Sequence, residues 1–98
     1  MMMRLDDDSS SSKIRRRSLL EQYYLILHVL KHKRLKMYEI TRLVNMNYYQ
    51  LQRRIYELNK KNCIHVTDQT AEITITDNGR KLKEQLENLL VIVNKSIV

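Results

Sequence analysis

Asn45 to Asn62, "NMNYYQLQRRIYELNKKN", carries three tyrosines and four Lys/Arg residues with a single carboxylate, Glu57. Side chains of these types donate hydrogen bonds, stack and neutralise negative charge, which is the chemistry of holding a polyanion. Tyr48, Leu51, Ile55 and Leu58 are spaced three, four and three apart, so on a helix they form one stripe facing a core. At about 100° per residue, Arg53 then points away from that stripe, with Tyr49, Gln50, Tyr56, Glu57 and Lys60 around it. A face made only for solubility mixes both signs of charge, and this one does not.

Bond-breaking chemistry finds little support. The chain has one glycine and no glycine-rich phosphate loop, and its carboxylates fall mostly on expected solvent faces, so no enzyme is expected. His28 and His32 stand four apart on one expected helix, a spacing that could place both on one metal, but no third ligand is near. Neither a metal nor any other cofactor is expected, and no small-molecule ligand is evident. Cys63 is a lone cysteine; it reads as a small buried apolar residue, with an intersubunit disulfide as the alternative.

The formal charge of +7 is unevenly placed. Residues 1–12 carry a net of −2, residues 13–62 a net of +10 and residues 63–98 a net of −1. The positive field belongs to the half that contains the tyrosine-rich helix, the footprint of a protein that binds nucleic acid or a charged membrane surface. Ninety-eight residues suit one small core that dimerisation would help to stabilise. No apolar run approaches the roughly 18 residues needed to span a bilayer, and no secretory h-region is seen, so an intracellular, cytoplasmic protein is expected.

The elements that must position the basic helix follow from periodicity. Residues 1–17, "MMMRLDDDSSSSKIRRR", read as a flexible tail with a basic end: either an arm that lies along phosphates or enters a minor groove, or a solvated tail. Ser18 followed by Glu21 is a capping box. It opens a helix from about Leu19 to His32 whose inner stripe is Leu19, Leu20, Tyr23, Ile26, Leu27 and Leu30. Lys31, Lys33 and Arg34 gather at its C-terminal end, where cations suit the helix dipole. A short extended piece, "RLK", follows. Met37, Ile40, Leu43 and Val44 make a second helix ended by Asn45, which tolerates positive φ. Asn47 then caps the next helix, and helix, tight turn and helix within about 25 residues make a helix-turn-helix. "CIHVT" and "AEITIT" alternate as strands around the turn "DQT". Thr76 caps a last helix in which Leu82, Leu86, Leu89 and Val93 step four, three and four, as in a coiled-coil seam widened by Leu90 and Ile97. The expected class is mainly α with a small β-hairpin (α+β), divided into the tail at 1–17, the helix-turn-helix with its hairpin at 18–76 and a C-terminal dimerisation helix at 77–98.

Three helices, a two-stranded wing and a terminal helix occur in that order. Residues 36–90 resemble the small archaeal winged helix-turn-helix proteins, both chromatin-associated and virus-encoded, that dimerise through a C-terminal coiled coil. The likeness rests on "NMNYYQLQRRIYELNKKNCI" and on "ITDNGRKLKEQLENL", which looks like that family's leucine, threonine, two residues, glycine, basic entry into its last helix. The resemblance implies a homodimer that binds double-stranded DNA with the helix at 47–61 in the major groove, a transcription regulator associated with the nucleoid. By position it makes Asn47, Tyr49, Gln50 and Arg53 base-facing: Arg53 can pair bidentately with guanine and Gln50 with adenine. Lys36, Arg42, Arg54, Lys60 and Lys61 flank that face and are assigned to phosphates, as are Arg15, Arg16 and Arg17 where the basic tail serves as an arm. The dimer interface would be Leu82, Leu86, Leu89, Leu90, Val93 and Ile97.

Two positions depart from the family pattern. Asn62 stands where glycine is usual, a mild change because Asn also adopts the left-handed conformation. The wing tip "TDQT" has no Lys or Arg and carries Asp68, which removes the ordinary wing contact with a minor groove. The competing readings are a protein-interaction module, a chromatin-type DNA packer without sequence preference and, more weakly, an RNA binder using exposed tyrosines to stack on unpaired bases.

Overall fold

The structure, a computed structural model, describes residues 17–97 and their side chains through residue 90. Arg15 and Arg16, and the side chains of Val93 and Ile97, lie outside what is described. Helix α1 spans Leu19–Val29, α2 Met37–Val44 and α3 Tyr48–Lys60; strands β1, Ile64–Val66, and β2, Ile73–Ile75, precede α4, Asp77–Ile97.

The caps fall where residue chemistry places them. Ser18 Oγ accepts from the Glu21 N–H at 3.1 Å while the Glu21 carboxylate accepts from the Ser18 N–H at 2.8 Å, so two otherwise unpaired donors are satisfied reciprocally. The helix ends at Leu30, short of His32, because the chain must turn into an extended segment. There Leu35 exchanges backbone hydrogen bonds with Ile73 at 3.0 and 2.7 Å and adds a one-residue third strand to the hairpin. Asn45 closes α2 at φ 53°, and Asn62 follows α3 at φ 61°, both left-handed positions that Asn occupies at low cost. β1 and β2 pair antiparallel with Ile64 opposite Ile75 and Val66 opposite Ile73. Thr76 then ties the hairpin to α4: its hydroxyl donates to the Asn62 carbonyl at 2.6 Å and accepts from the Gly79 N–H at 3.1 Å.

The core gathers one stripe from each element, with Ile26, Leu27, Leu30, Leu35, Ile40, Leu51, Leu58 and Ile73 fully buried. Several apolar expectations are corrected. Leu19 and Leu20, in the first turn of α1, are exposed beyond the edge of the core. Tyr48 is 49% exposed and Leu43 59% exposed, because the tight turn between α2 and α3 seats Met46 in the core and leaves the flanking positions at its rim. Leu86, expected at a dimer seam, is 3% exposed within the core of its own domain, and Leu82 packs against the same cluster. The first half of α4 therefore completes this core by lying on α1, with Tyr24 Oη donating to Glu87 at 3.1 Å and Arg80 Nη1 donating to the Lys31 carbonyl at 3.0 Å. A coiled-coil seam that begins at Leu82 is incompatible with that packing.

Candidate nucleic-acid interface

The start of α3 is fixed by its cap. Asn47 Oδ1 accepts from the Tyr49 N–H at 2.8 Å and the Gln50 N–H at 3.3 Å, holding the first turn rigid. The same bonds occupy the acceptor oxygen of Asn47 and leave its amide NH₂ as the group free to face a base. Leu51, Ile55 and Leu58 point into the core, so the outer face belongs to Tyr49, 78% exposed, and to Gln50, Gln52 and Arg53, also exposed. Tyr49, Gln50 and Arg53 line one shallow hollow, with Arg54 at its edge. A planar phenol, an amide that both donates and accepts and, one turn on, a guanidinium fork thus line one hollow.

Arg54 does not belong to that outward set, and its expected place at a phosphate is corrected. Its Nε donates to Gln22 Oε1 at 2.8 Å and its Nη1 to Glu57 Oε1 at 2.5 Å, with its side chain only 14% exposed. Tyr23 Oη donates to the same Glu57 oxygen at 2.7 Å. Gln22 in turn donates through Nε2 to the Arg17 carbonyl at 3.1 Å. The guanidinium therefore joins α1 to α3 and sets how α3 is presented. Burial and the Glu57 carboxylate push the Tyr23 hydroxyl up to about 12. The hydrogen bonds from Tyr23 and Arg54 hold the Glu57 carboxyl below its usual range.

The remaining cations lie outside that hollow. Lys60 sits 5.4 Å above the Tyr56 ring, a cation–π contact on the exposed side of α3. Lys60 and Lys61 border a depression beside Tyr23 and Glu57. Lys36 is exposed at the start of α2, where its N–H is capped by Glu39 at 2.9 Å. Arg42 is exposed on α2 and shares a second depression with Lys33, Glu39 and Leu43. Arg17, itself exposed, donates through its guanidinium to the Val44 carbonyl at the C-terminal end of α2, satisfying an orphan acceptor beside the turn that launches α3.

The wing keeps no cation at its tip. Thr67 and Thr70 hydrogen-bond each other at 2.9 Å, Thr70 reaches Glu72 at 3.2 Å, and Ala71 takes φ 56° to close the turn. Cys63 is 5% exposed, and burial pushes its thiol up. His28 stacks on Tyr24 at 5.5 Å between ring centroids, and burial together with Lys31 lowers its pKa. Among the described residues no group of three His, Cys, Asp or Glu side chains is placed to hold a metal ion, and no helix is long and apolar enough to cross a membrane.

Residue spacing alone did not reveal the Gln22–Arg54–Glu57–Tyr23 chain of hydrogen bonds. Gln22, a polar residue only 7% exposed beside Tyr23 at the start of the buried face of α1, is the member of that chain whose burial demands a partner. The model of a family described as winged helix-turn-helix matches residues 16–93. No curated protein and no solved structure matches the sequence.

Proposed function

This chain belongs to the winged helix-turn-helix family, and from that premise we propose that it binds double-stranded DNA as a homodimer, with α3 in the major groove, and regulates transcription at the nucleoid. The observation that carries the reading is the shared hollow of Tyr49, Gln50 and Arg53 on the outward face of a helix whose other face is fully packed. A major groove admits a helix, and its guanine and adenine edges present the acceptors and donors that Arg and Gln match in pairs. Lys36 and Arg42 of α2 and Lys60 and Lys61 at the end of α3 are exposed and would supply phosphate contacts that carry no sequence information. The role is that of a binding protein and not of an enzyme, with no cofactor.

Self-association rests on the second half of α4. Leu89 is 43% exposed and Leu90 is partly exposed, and the helix continues to Ile97 beyond Leu86, the last buried side chain among the described residues. Such a strip is covered economically by a second copy of the same helix. A packer without sequence preference is the second reading; the engagement of Asn47 Oδ1 in the helix cap leaves that residue only its amide NH₂ for base reading.

The groove assignment is tested by selecting a preferred duplex from a random pool and methylating guanine N7 within it. Interference at one or two guanines, relieved in Arg53→Ala, is the expected outcome. Interference confined to adenine N3, in the minor groove, would contradict it.

A further inference from the structure

The loop after α1 gathers charge for which the helix dipole is an incomplete explanation. Lys31, His32, Lys33 and Arg34 line one concave hollow with Thr74 of β2 and Arg80 from the first turns of α4. The fold draws these groups together from distant parts of the chain, since Arg80 is held there by its hydrogen bond to the Lys31 carbonyl. Among the described residues the ion pair in this cluster is Arg34 with Glu72, at 3.7 Å, and the Arg34 side chain remains 64% exposed. The hollow keeps an excess of positive charge, and like charges held around one concavity repel unless an anion shares it.

Lys33 borders this hollow and also the depression that contains Arg42 of α2. The cationic surface is therefore continuous from the first helix of the helix-turn-helix to the root of the wing. We propose that Lys31, Lys33, Arg34 and Arg80 form a second phosphate-binding surface that holds the backbone of the same duplex on which α3 rests. It takes the flanking contact that the wing tip cannot make, since the tip carries Asp68 and its threonine hydroxyls are engaged within the turn. The ligand is a phosphodiester, recognised by charge and guanidinium geometry without regard to base. This inference rests on the DNA-binding reading above.

The test is the salt dependence of duplex affinity for the native chain and for Lys33→Ala/Arg34→Ala, two exposed positions whose truncation leaves the core intact. Each lost phosphate contact lowers the slope of log K against log salt by about 0.9. The double variant is expected to lose close to two units of slope per protomer, with its ranking of duplex sequences unchanged. A native slope in the double variant, with duplex binding intact, overturns this proposal alone. Failure of the native chain to bind duplex at low salt overturns both it and the reading beneath it. If the double variant keeps the native slope but no longer cross-links two duplexes in a pelleting assay, the phosphates belong to a second duplex and the single-duplex assignment is overturned.

Discussion

The hydroxyl of Tyr23 on α1 donates a 2.7 Å hydrogen bond to Glu57 Oε1 on α3, and Glu57 also accepts from Arg54. A buried phenol and a carboxylate are thereby satisfied together, and α3 is pinned to the helix that carries the core. Tyr23→Phe removes the donor and keeps the ring. It should destabilise the domain by about 1.5–3 kcal/mol, the range for a hydrogen bond to a charged acceptor, measured as a shift in urea midpoint with an unchanged m-value.

The same pair contributes to the pH response at both ends. Glu57 titrates below its ordinary range in the folded state, so its contribution is present above the unfolded carboxylate pKa and declines as pH falls through the folded one. Tyr23 is raised to about 12, so its contribution is complete below pH 10 and declines as pH rises from about 10 to 12. Tyr23→Phe should flatten the alkaline limb of a melting-temperature profile, and Glu57→Gln the acid limb. An alkaline limb unchanged in Tyr23→Phe would show that other groups cause it.

Gly79 lies where β1 meets α4, and a Cβ there would stand 2.1 Å from the Cys63 carbonyl oxygen and 2.8 Å from Ile75. The carbonyl is backbone and accepts from the Thr76 N–H at 3.1 Å, so it cannot give way cheaply. Gly79→Ala should cost about 3 kcal/mol, the upper part of the overpacking range, by thermal or chemical unfolding. A loss under about 0.5 kcal/mol would mean that the hairpin and α4 can separate freely.

Leu86 and Leu89 should part company on mutation. Leu86 is buried in its own domain and Leu89 is exposed. Leu86→Ala should lower protomer stability by about 2–5 kcal/mol. Leu89→Lys should leave the protomer folded and shift sedimentation toward the monomer. A native chain that sediments as a monomer at micromolar concentration would end the homodimer proposal.

Arg53 and Lys60 should differ in kind on DNA. Arg53→Ala should cost about 1–3 kcal/mol on a preferred site and flatten sequence preference, while Lys60→Ala weakens all sequences alike and reduces the salt slope. Equal losses on every sequence from both variants would leave general binding without base reading.

The order of elements was legible because each is announced by local chemistry: Ser18 with Glu21, Asn45, Asn47 and Thr76 cap what they were expected to cap. The inner stripe of α3 was legible from Leu51, Ile55 and Leu58, but Tyr48 was not, since periodicity gives a direction and not the distance to the rim of the core. Leu86 misled for a related reason. A four-three-four spacing is the same whether the partner is a second α4 or α1 of the same chain, and only the tertiary structure distinguishes them. Arg54 is the clearest case at the site, because its engagement depends on Gln22, 32 positions away, and no local pattern reports it. The cluster at the root of the wing was likewise hidden, because Arg80 joins Lys31 only after α4 folds back on α1.

The central claim is that the outward face of α3 and its cations meet a duplex. The most direct measurement is a fluorescence-anisotropy titration of the native chain against random duplex DNA, with matched single-stranded DNA and RNA, at several salt concentrations. A preference for duplex is expected, with affinity falling several-hundredfold or more between 50 and 200 mM salt if at least about five phosphates are contacted per dimer. Equal or stronger binding to the single strands, or no duplex binding at low salt by the folded protein, would contradict it.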